Sequence, residues 1–249
     1  MILKFIDLNA DLGEGFSFDE SLLKIISSCN IACGGHAGDE NSMATTILLA
    51  KKYNVTIGAH PSYPDKKNFG RTMMKISSTQ LIDSLLDQIN QLLTIGETNN
   101  ATIRYIKPHG ALYNRAMNDK ETAASIITSV KEINIDLAVM GIPNSELEKL
   151  CSKENIQFIK EGFADRRYNS DGSLVNRTHK KAVIHQKGKV WMQIKDLIEK
   201  QKILSIDNEL VPLSINSICF HGDTPKTLEL LEFVTHQLKE IDISIKSYI

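Results

Sequence analysis

Residues that can carry out chemistry recur at similar places in this sequence, each time just after a short apolar segment. The side chains at these places include Asn9, Asp11, Glu14, His36, His60, Arg71, Lys107, His109, Tyr113, Arg166, His221 and Asp223. Histidines and carboxylates can move protons or hold a divalent metal, and Lys and Arg bind carboxylates or phosphates. The pattern therefore predicts a site for acid–base and electrostatic chemistry that recognises an anionic group.

The histidines give the clearest sign of a pattern. Of the seven in the chain, His36, His60, His109 and His221 stand at equivalent places, and each has Gly or Pro beside it. A single histidine of this kind could equally fill a gap in the core, and Asp39 could serve as a helix N-cap. Four histidines in register, each near acids and glycines, favour a shared functional site.

The elements that must position these residues alternate strictly between short apolar segments and longer amphipathic stretches. About seven strand-then-helix units can be traced, which predicts parallel strands joined by helices. We expect an α/β fold, a seven-stranded, incomplete TIM-like βα barrel, formed as one domain over residues 1–249. A doubly wound open sheet is the alternative. In both folds the carboxyl ends of the strands meet on one side, where active sites form.

One long segment, from about Ala164 to Lys189, interrupts the alternation. It is too long for an ordinary connection between a strand and a helix, and loops of this length are often functional.

Composition narrows the classes of function. The net charge is -1, with 29 Lys and Arg against 30 Asp and Glu, so we expect neither nucleic acid nor an anionic membrane as a partner. No apolar segment has the roughly 20 residues of a membrane helix, and the N-terminus does not resemble a signal peptide. The four cysteines form no C-x-x-C pair. We therefore expect a cytoplasmic protein with reduced, mostly buried cysteines.

Several common catalytic motifs are absent from the sequence. It contains no P-loop, no G-x-G-x-x-G after the first strand and no G-x-S-x-G nucleophile elbow. Cys33 lies close to His36 and could imitate a Cys–His nucleophile pair, but a cysteine at an apolar strand end is more often inert and buried.

Long blocks of this sequence resemble the LamB/YcsF family. They run in order from Asp7 to Pro225 and are DLNADLGEGF, NIACGGHAGD, GAHPSYPD, FGR, KPHGALYN, FADRRY, DGSL and CFHGDTP. The resemblance implies a seven-stranded barrel of the glycoside hydrolase/deacetylase type. The chain departs from the family pattern at Asn176, Lys180 and Lys181, where the family tends to have proline or Pro-Gly.

The resemblance also implies an activity, which is ATP-dependent opening of 5-oxo-L-proline to L-glutamate. A chain of this family would be the A subunit of the 5-oxoprolinase and would act with the B and C subunits. ATP with Mg²⁺ would be the cosubstrate. Its binding site would lie on this chain, be shared between subunits or lie on another subunit. Two alternatives stay open, a stand-alone metal-dependent deacetylase or hydrolase and a non-catalytic substrate-binding subunit.

Roles for the strand-end residues follow as hypotheses. We expect the acid–base residues to be Asp11, His36, His60, His109 and Asp223. We expect the substrate or phosphate to be bound by Asn9, Glu14, Arg71, Lys107, Tyr113, Arg166 and His221. If a metal is bound, the candidate ligands are Asp11, His36, His60 and Asp223.

Overall fold

Seven parallel strands close into a barrel in the computed structural model, which describes residues 4–220 and 226–249. The strands are β1 (Phe5–Leu12), β2 (Ser28–Ala32), β3 (Thr56–His60), β4 (Ile103–Ile106), β5 (Ala138–Gly141), β6 (Phe158–Phe163) and β9 (Ser217–Phe220). The barrel closes because β9 pairs with both β6 and β1, and β1 pairs on its other side with β2. The predicted seven-stranded α/β barrel is confirmed, and the open sheet is excluded.

Helices follow the strands along the chain. Their bounds are α1 (Asp19–Leu23), α2 (Glu40–Lys52), α3 (Ser78–Thr98), α4 (Gly110–Arg115), α5 (Lys120–Ile133), α6 (Glu146–Lys153), α7 (Lys187–Lys200) and α8 (Lys226–Glu240). Asp39 caps α2 by accepting a bond from the Ser42 amide, so its alternative role as an N-cap is confirmed. Helix α1 begins after Phe18 and has no side-chain cap.

Strand β1 shows how the chain separates its two faces. Leu8 and Ala10 belong to the apolar core, whereas Asn9 and Asp11, which alternate with them, bond to side chains on other strands. This period of two is the ordinary alternation of a strand. The barrel interior is therefore polar along β1.

Near β4, β5 and β6 a second apolar cluster forms, which contains Tyr105, Ala138, Met140 and Ile159, with Ile249 packed against it.

Two features lie outside the predicted alternation. A hairpin of β7 (Lys202–Leu204) and β8 (Leu210–Pro212) precedes β9. Near the C-terminus, the short strand β10 (Ser244–Ile245) pairs with β1. The long loop ends where α7 begins at Lys187, close to its predicted end. Within the described residues, no helix is both long and apolar enough to cross a membrane.

Candidate active site

A buried ammonium group lies at the centre of the barrel. Lys107 Nζ is 2.9 Å from Asp11 Oδ1 and 2.8 Å from Glu161 Oε1. Burial acts to lower the pKa of Lys107, but the carboxylates of Asp11 and Glu161 outweigh it and raise that pKa well above its ordinary value. Lys107 therefore stays charged and holds two acids in place.

Neighbouring polar groups also donate hydrogen bonds to these two carboxylates. Asn9 donates to Glu161 Oε1 at 3.0 Å, and the Tyr113 hydroxyl donates to Glu161 Oε2 at 2.6 Å. Asn30 donates to Asp11 Oδ1 at 2.8 Å. Burial and the nearby Glu161 raise the pKa of Tyr113 well above its ordinary value, so its hydroxyl keeps the proton that it donates. Because each of these side chains is hydrogen-bonded to another, the network holds them in fixed positions.

A second cluster combines Glu14 with His36, His60 and His109. Glu14 Oε1 lies 3.0 Å from His36 Nε2 and 3.6 Å from His109 Nδ1. The rings of His36 and His109 stack with centroids 3.7 Å apart. Burial, with the neighbouring His60 contributing, lowers the pKa of both stacked histidines, so the neutral form of each is favoured.

Two of these rings are oriented by the backbone. His60 Nδ1 lies 2.7 Å from the carbonyl oxygen of Lys107, and His109 Nε2 lies 3.0 Å from that of Phe69. The opposite nitrogens, His60 Nε2 and His109 Nδ1, lie 2.9 Å apart. Asp11 joins the two clusters, because its Oδ2 lies 3.4 Å from His60 Nε2.

Two glycines let the chain pass tightly over the histidines. Gly110 has φ +57°, and a Cβ there would lie 2.5 Å from the carbonyl oxygen of Gly70. Gly70 has φ +61°, and a Cβ there would lie 2.9 Å from Cβ of His36. Both positions require glycine for its conformation and for its lack of a side chain. They seat the segment containing Phe69 and Arg71 against the cluster.

A cavity of about 470 Å³ opens above both clusters. Its floor includes Asp11, Glu14, His60, Lys107, His109 and Tyr113. Three arginines line it as well, Arg71, Arg166 and Arg177, and residues 174–178 of the long loop form part of its wall. The loop therefore contributes directly to the site.

Arg166 is buried beside this cavity. Its Nη2 donates to the Val175 carbonyl at 2.7 Å, whereas its Nε has no hydrogen-bond partner among the described residues. Burial, together with the charge of Arg177, lowers the pKa of Arg166 to about 10. The guanidinium is still protonated at neutral pH, so a buried positive charge borders the cavity.

The model of the LamB/YcsF family matches residues 6–249. The chain belongs to the LamB/YcsF family. It is 43% identical over 243 residues to the A subunit of the 5-oxoprolinase of Haemophilus influenzae (strain PittEE), and the match covers 98% of this chain and 99% of that protein.

Solved structures of two other proteins share the fold of this LamB/YcsF chain. The lactam utilization protein from Thermus thermophilus has a TM-score of 0.91 at 28% identity, covering 98% of this chain and 100% of that one. A family 4 carbohydrate esterase from Streptomyces lividans has a TM-score of 0.52 at 10% identity, with 100% and 95% covered. The second likeness concerns the barrel fold alone.

Most site residues predicted from the sequence meet at this end of the LamB/YcsF barrel. Asn9 and His36 belong to the two clusters without lining the cavity, whereas Arg71 and Arg166 line it. His221 and Asp223 lie outside the described residues. Cys33 is buried and burial raises its pKa to about 12, which agrees with the interpretation of an inert thiol.

Two members of the buried network did not stand out in the sequence. Glu161 lies within β6 and Asn30 within β2, inside segments that are otherwise mostly apolar. The signal that could have found Asn30 is the period of two along β2, since it places Ser28 and Asn30 on one face.

Proposed function

We propose that this chain is the A subunit of an ATP-dependent 5-oxoprolinase, which converts 5-oxo-L-proline to L-glutamate in the cytoplasm together with the B and C subunits. The observation that carries this proposal is the 43% identity to the A subunit of a 5-oxoprolinase over nearly the full length of both proteins. The cavity at the carboxyl end of the barrel supports it. Its volume of about 470 Å³ suits a small-molecule site.

The chemistry of the lactam defines what the site must do. Amide resonance makes the ring carbonyl a poor electrophile, and transfer of the ATP γ-phosphoryl group to its oxygen, with release of ADP, activates the carbon. Water then adds, the ring C–N bond breaks as the nitrogen takes up a proton, and γ-glutamyl phosphate forms. A second water releases phosphate and L-glutamate. This sequence needs a base, an acid and cations for the phosphoryl oxygens.

We assign Asp11 the role of the base. Lys107 and Asn30 hold its Oδ1, and its Oδ2 lies near His60 on the cavity floor. A carboxylate fixed in this way keeps one oxygen oriented toward an incoming water. We assign His60 the role of positioning that water with Asp11.

The arginines suit the anionic groups of the reactants. Arg71, Arg166 and Arg177 line the cavity, and guanidinium groups bind carboxylate and phosphate oxygens in pairs. We assign them to the substrate carboxylate and to the phosphoryl group during transfer. ATP carries Mg²⁺ as its counter-ion, and the chain has no P-loop to cradle the triphosphate.

The test is release of L-glutamate from 5-oxo-L-proline by the purified chain, alone and with the B and C subunits, each with and without ATP and Mg²⁺. We expect glutamate only from the complete mixture with ATP. Glutamate formed by the chain alone without ATP would favour the second candidate, a stand-alone metal-dependent hydrolase, which the cluster of Glu14 with three histidines motivates. Folded components that release no glutamate under any condition would refute the proposal.

A further inference from the structure

The tautomers of His60 and His109 are set by their backbone partners. A carbonyl oxygen only accepts hydrogen bonds, so His60 Nδ1 and His109 Nε2 must each carry a proton. In the neutral rings, His60 Nε2 and His109 Nδ1 then each present a lone pair. These two atoms lie 2.9 Å apart, so two acceptors face each other where a hydrogen bond would need a donor.

A carboxylate and a third imidazole, whose tautomer no backbone group sets, converge on the same place. Glu14 Oε1 lies 3.6 Å from His109 Nδ1 and 3.0 Å from His36 Nε2. The four residues each direct a ligand atom inward, and these atoms all lie within 4.8 Å of one another. A set of neighbouring acceptors is electrostatically unfavourable unless a cation lies among them.

We propose that Glu14, His36, His60 and His109 bind one divalent transition-metal ion, for which zinc is the best match. Imidazole nitrogens and a carboxylate oxygen are ordinary zinc ligands. At zinc bond lengths of about 2.0–2.1 Å, tetrahedral ligand atoms lie roughly 3.3 Å apart. Three of the six pairs, at 2.9, 3.0 and 3.6 Å, bracket that separation.

The surroundings are those of a metal site. Histidine ligands of metals usually donate their other ring N–H to a backbone carbonyl or carboxylate, as His60 and His109 do here. Because the glycines at positions 70 and 110 lack a Cβ, the segment that carries the Phe69 carbonyl can approach the cluster closely.

The ion would lie at the floor of the cavity, because Glu14, His60 and His109 all line it. There it would polarise the substrate carbonyl or lower the pKa of a bound water beside Asp11. This catalytic role rests on the proposed function, whereas binding of the ion is a property of the isolated chain. A failure of one is therefore distinguishable from a failure of the other.

The experiment measures zinc bound to the purified, untagged chain after equilibrium dialysis, by elemental analysis and by the rise in melting temperature. We expect one zinc per chain. The variants Glu14→Gln and His36→Gln should each bind zinc at least about tenfold more weakly. Exposed histidines provide the controls, so His185→Gln and His236→Gln should bind zinc as the wild type does.

Circular dichroism establishes that each variant is folded. Visible absorption of the Co²⁺-loaded wild type provides an independent readout of tetrahedral coordination, which Glu14→Gln should lose. A wild-type chain that binds no zinc would overturn the proposal. Equal zinc binding by the wild type and both cluster variants would also overturn it, since the ion would then be held elsewhere.

Discussion

Lys107 and Glu161 form a buried ion pair across the barrel, with Nζ 2.8 Å from Oε1. Glu161 is fully buried, and Lys107 is 2% exposed. The same ammonium also neutralises Asp11, so a single cation offsets two acids. Removing the cation would leave two carboxylates without a counter-charge in a region that water scarcely reaches.

We predict that Lys107→Met lowers the free energy of unfolding by about 3–5 kcal/mol, the usual cost of leaving a buried charge without its partner. Glu161→Gln should cost less, because an amide oxygen still accepts from Lys107 and Asn9. Urea unfolding followed by circular dichroism measures both. The exposed pair Lys52–Glu20 provides the control, and Lys52→Met should leave stability unchanged. Equal losses for Lys107→Met and Lys52→Met would contradict the prediction.

The barrel and the location of the site could be predicted from the sequence because both follow from local patterns. Alternating apolar and amphipathic segments determine a parallel α/β fold, and strand ends in such folds converge. The hairpin of β7 and β8 could not be predicted in this way. Its strands have three residues each and are mostly exposed, so they carry no apolar run to mark them.

The contacts between side chains within the site also could not be predicted from the sequence. Lys107 was expected to bind an anion of the substrate or phosphate, yet its ammonium contacts Asp11, which lies 96 residues away, and Glu161. Contacts between residues so far apart in the sequence depend on how the barrel closes, which no local pattern encodes. For the same reason Glu14 could be recognised as polar but not as a neighbour of three histidines.

A second prediction concerns the rate of the proposed reaction. Asp11→Asn and His60→Gln should each reduce kcat of the reconstituted enzyme on the order of a hundredfold, the usual scale of acid–base catalysis. Asp11 is the proposed base, and His60 positions the water that it activates. The measurement is ATP-dependent glutamate release, with circular dichroism to verify folding. Asp83→Asn, an exposed change on α3, is the matched control and should retain the wild-type rate. Full activity in both site variants would refute the assignment.

A third prediction separates binding from chemistry. Arg71 lines the cavity and is exposed, with its guanidinium 4.8 Å from the centre of the Phe69 ring. Loss of a charged hydrogen bond to the substrate costs about 1.5–3 kcal/mol, so Arg71→Met should raise KM for 5-oxo-L-proline by roughly 10- to 100-fold. Arg104→Met, an exposed change on β4, should leave KM unaltered. An unchanged KM in Arg71→Met would remove Arg71 from the substrate site.

A fourth prediction concerns pH and Asp7, which is buried in the barrel and accepts bonds from Ser27, Ser28 and Ser217. Burial raises the pKa of Asp7 despite these hydroxyl donors. As the pH rises past about 3.9, the unfolded chain loses a proton that the folded carboxyl still holds. The contribution of Asp7 to the free energy of unfolding is therefore greatest at low pH. It falls as the pH rises through the pKa that Asp7 has in the folded state.

The variant Asp7→Asn does not titrate, so it isolates this effect. Its free energy of unfolding, relative to the wild type, should increase between pH 4 and pH 7, measured by urea titration at each pH. Asp39 provides a control of opposite sign, because its bonds from Ser42 lower its pKa. Relative to the wild type, Asp39→Asn should therefore lose stability as the pH rises from 3 to 5. A difference for Asp7→Asn that stays constant or decreases with pH would show that the buried carboxyl is ionised throughout this range.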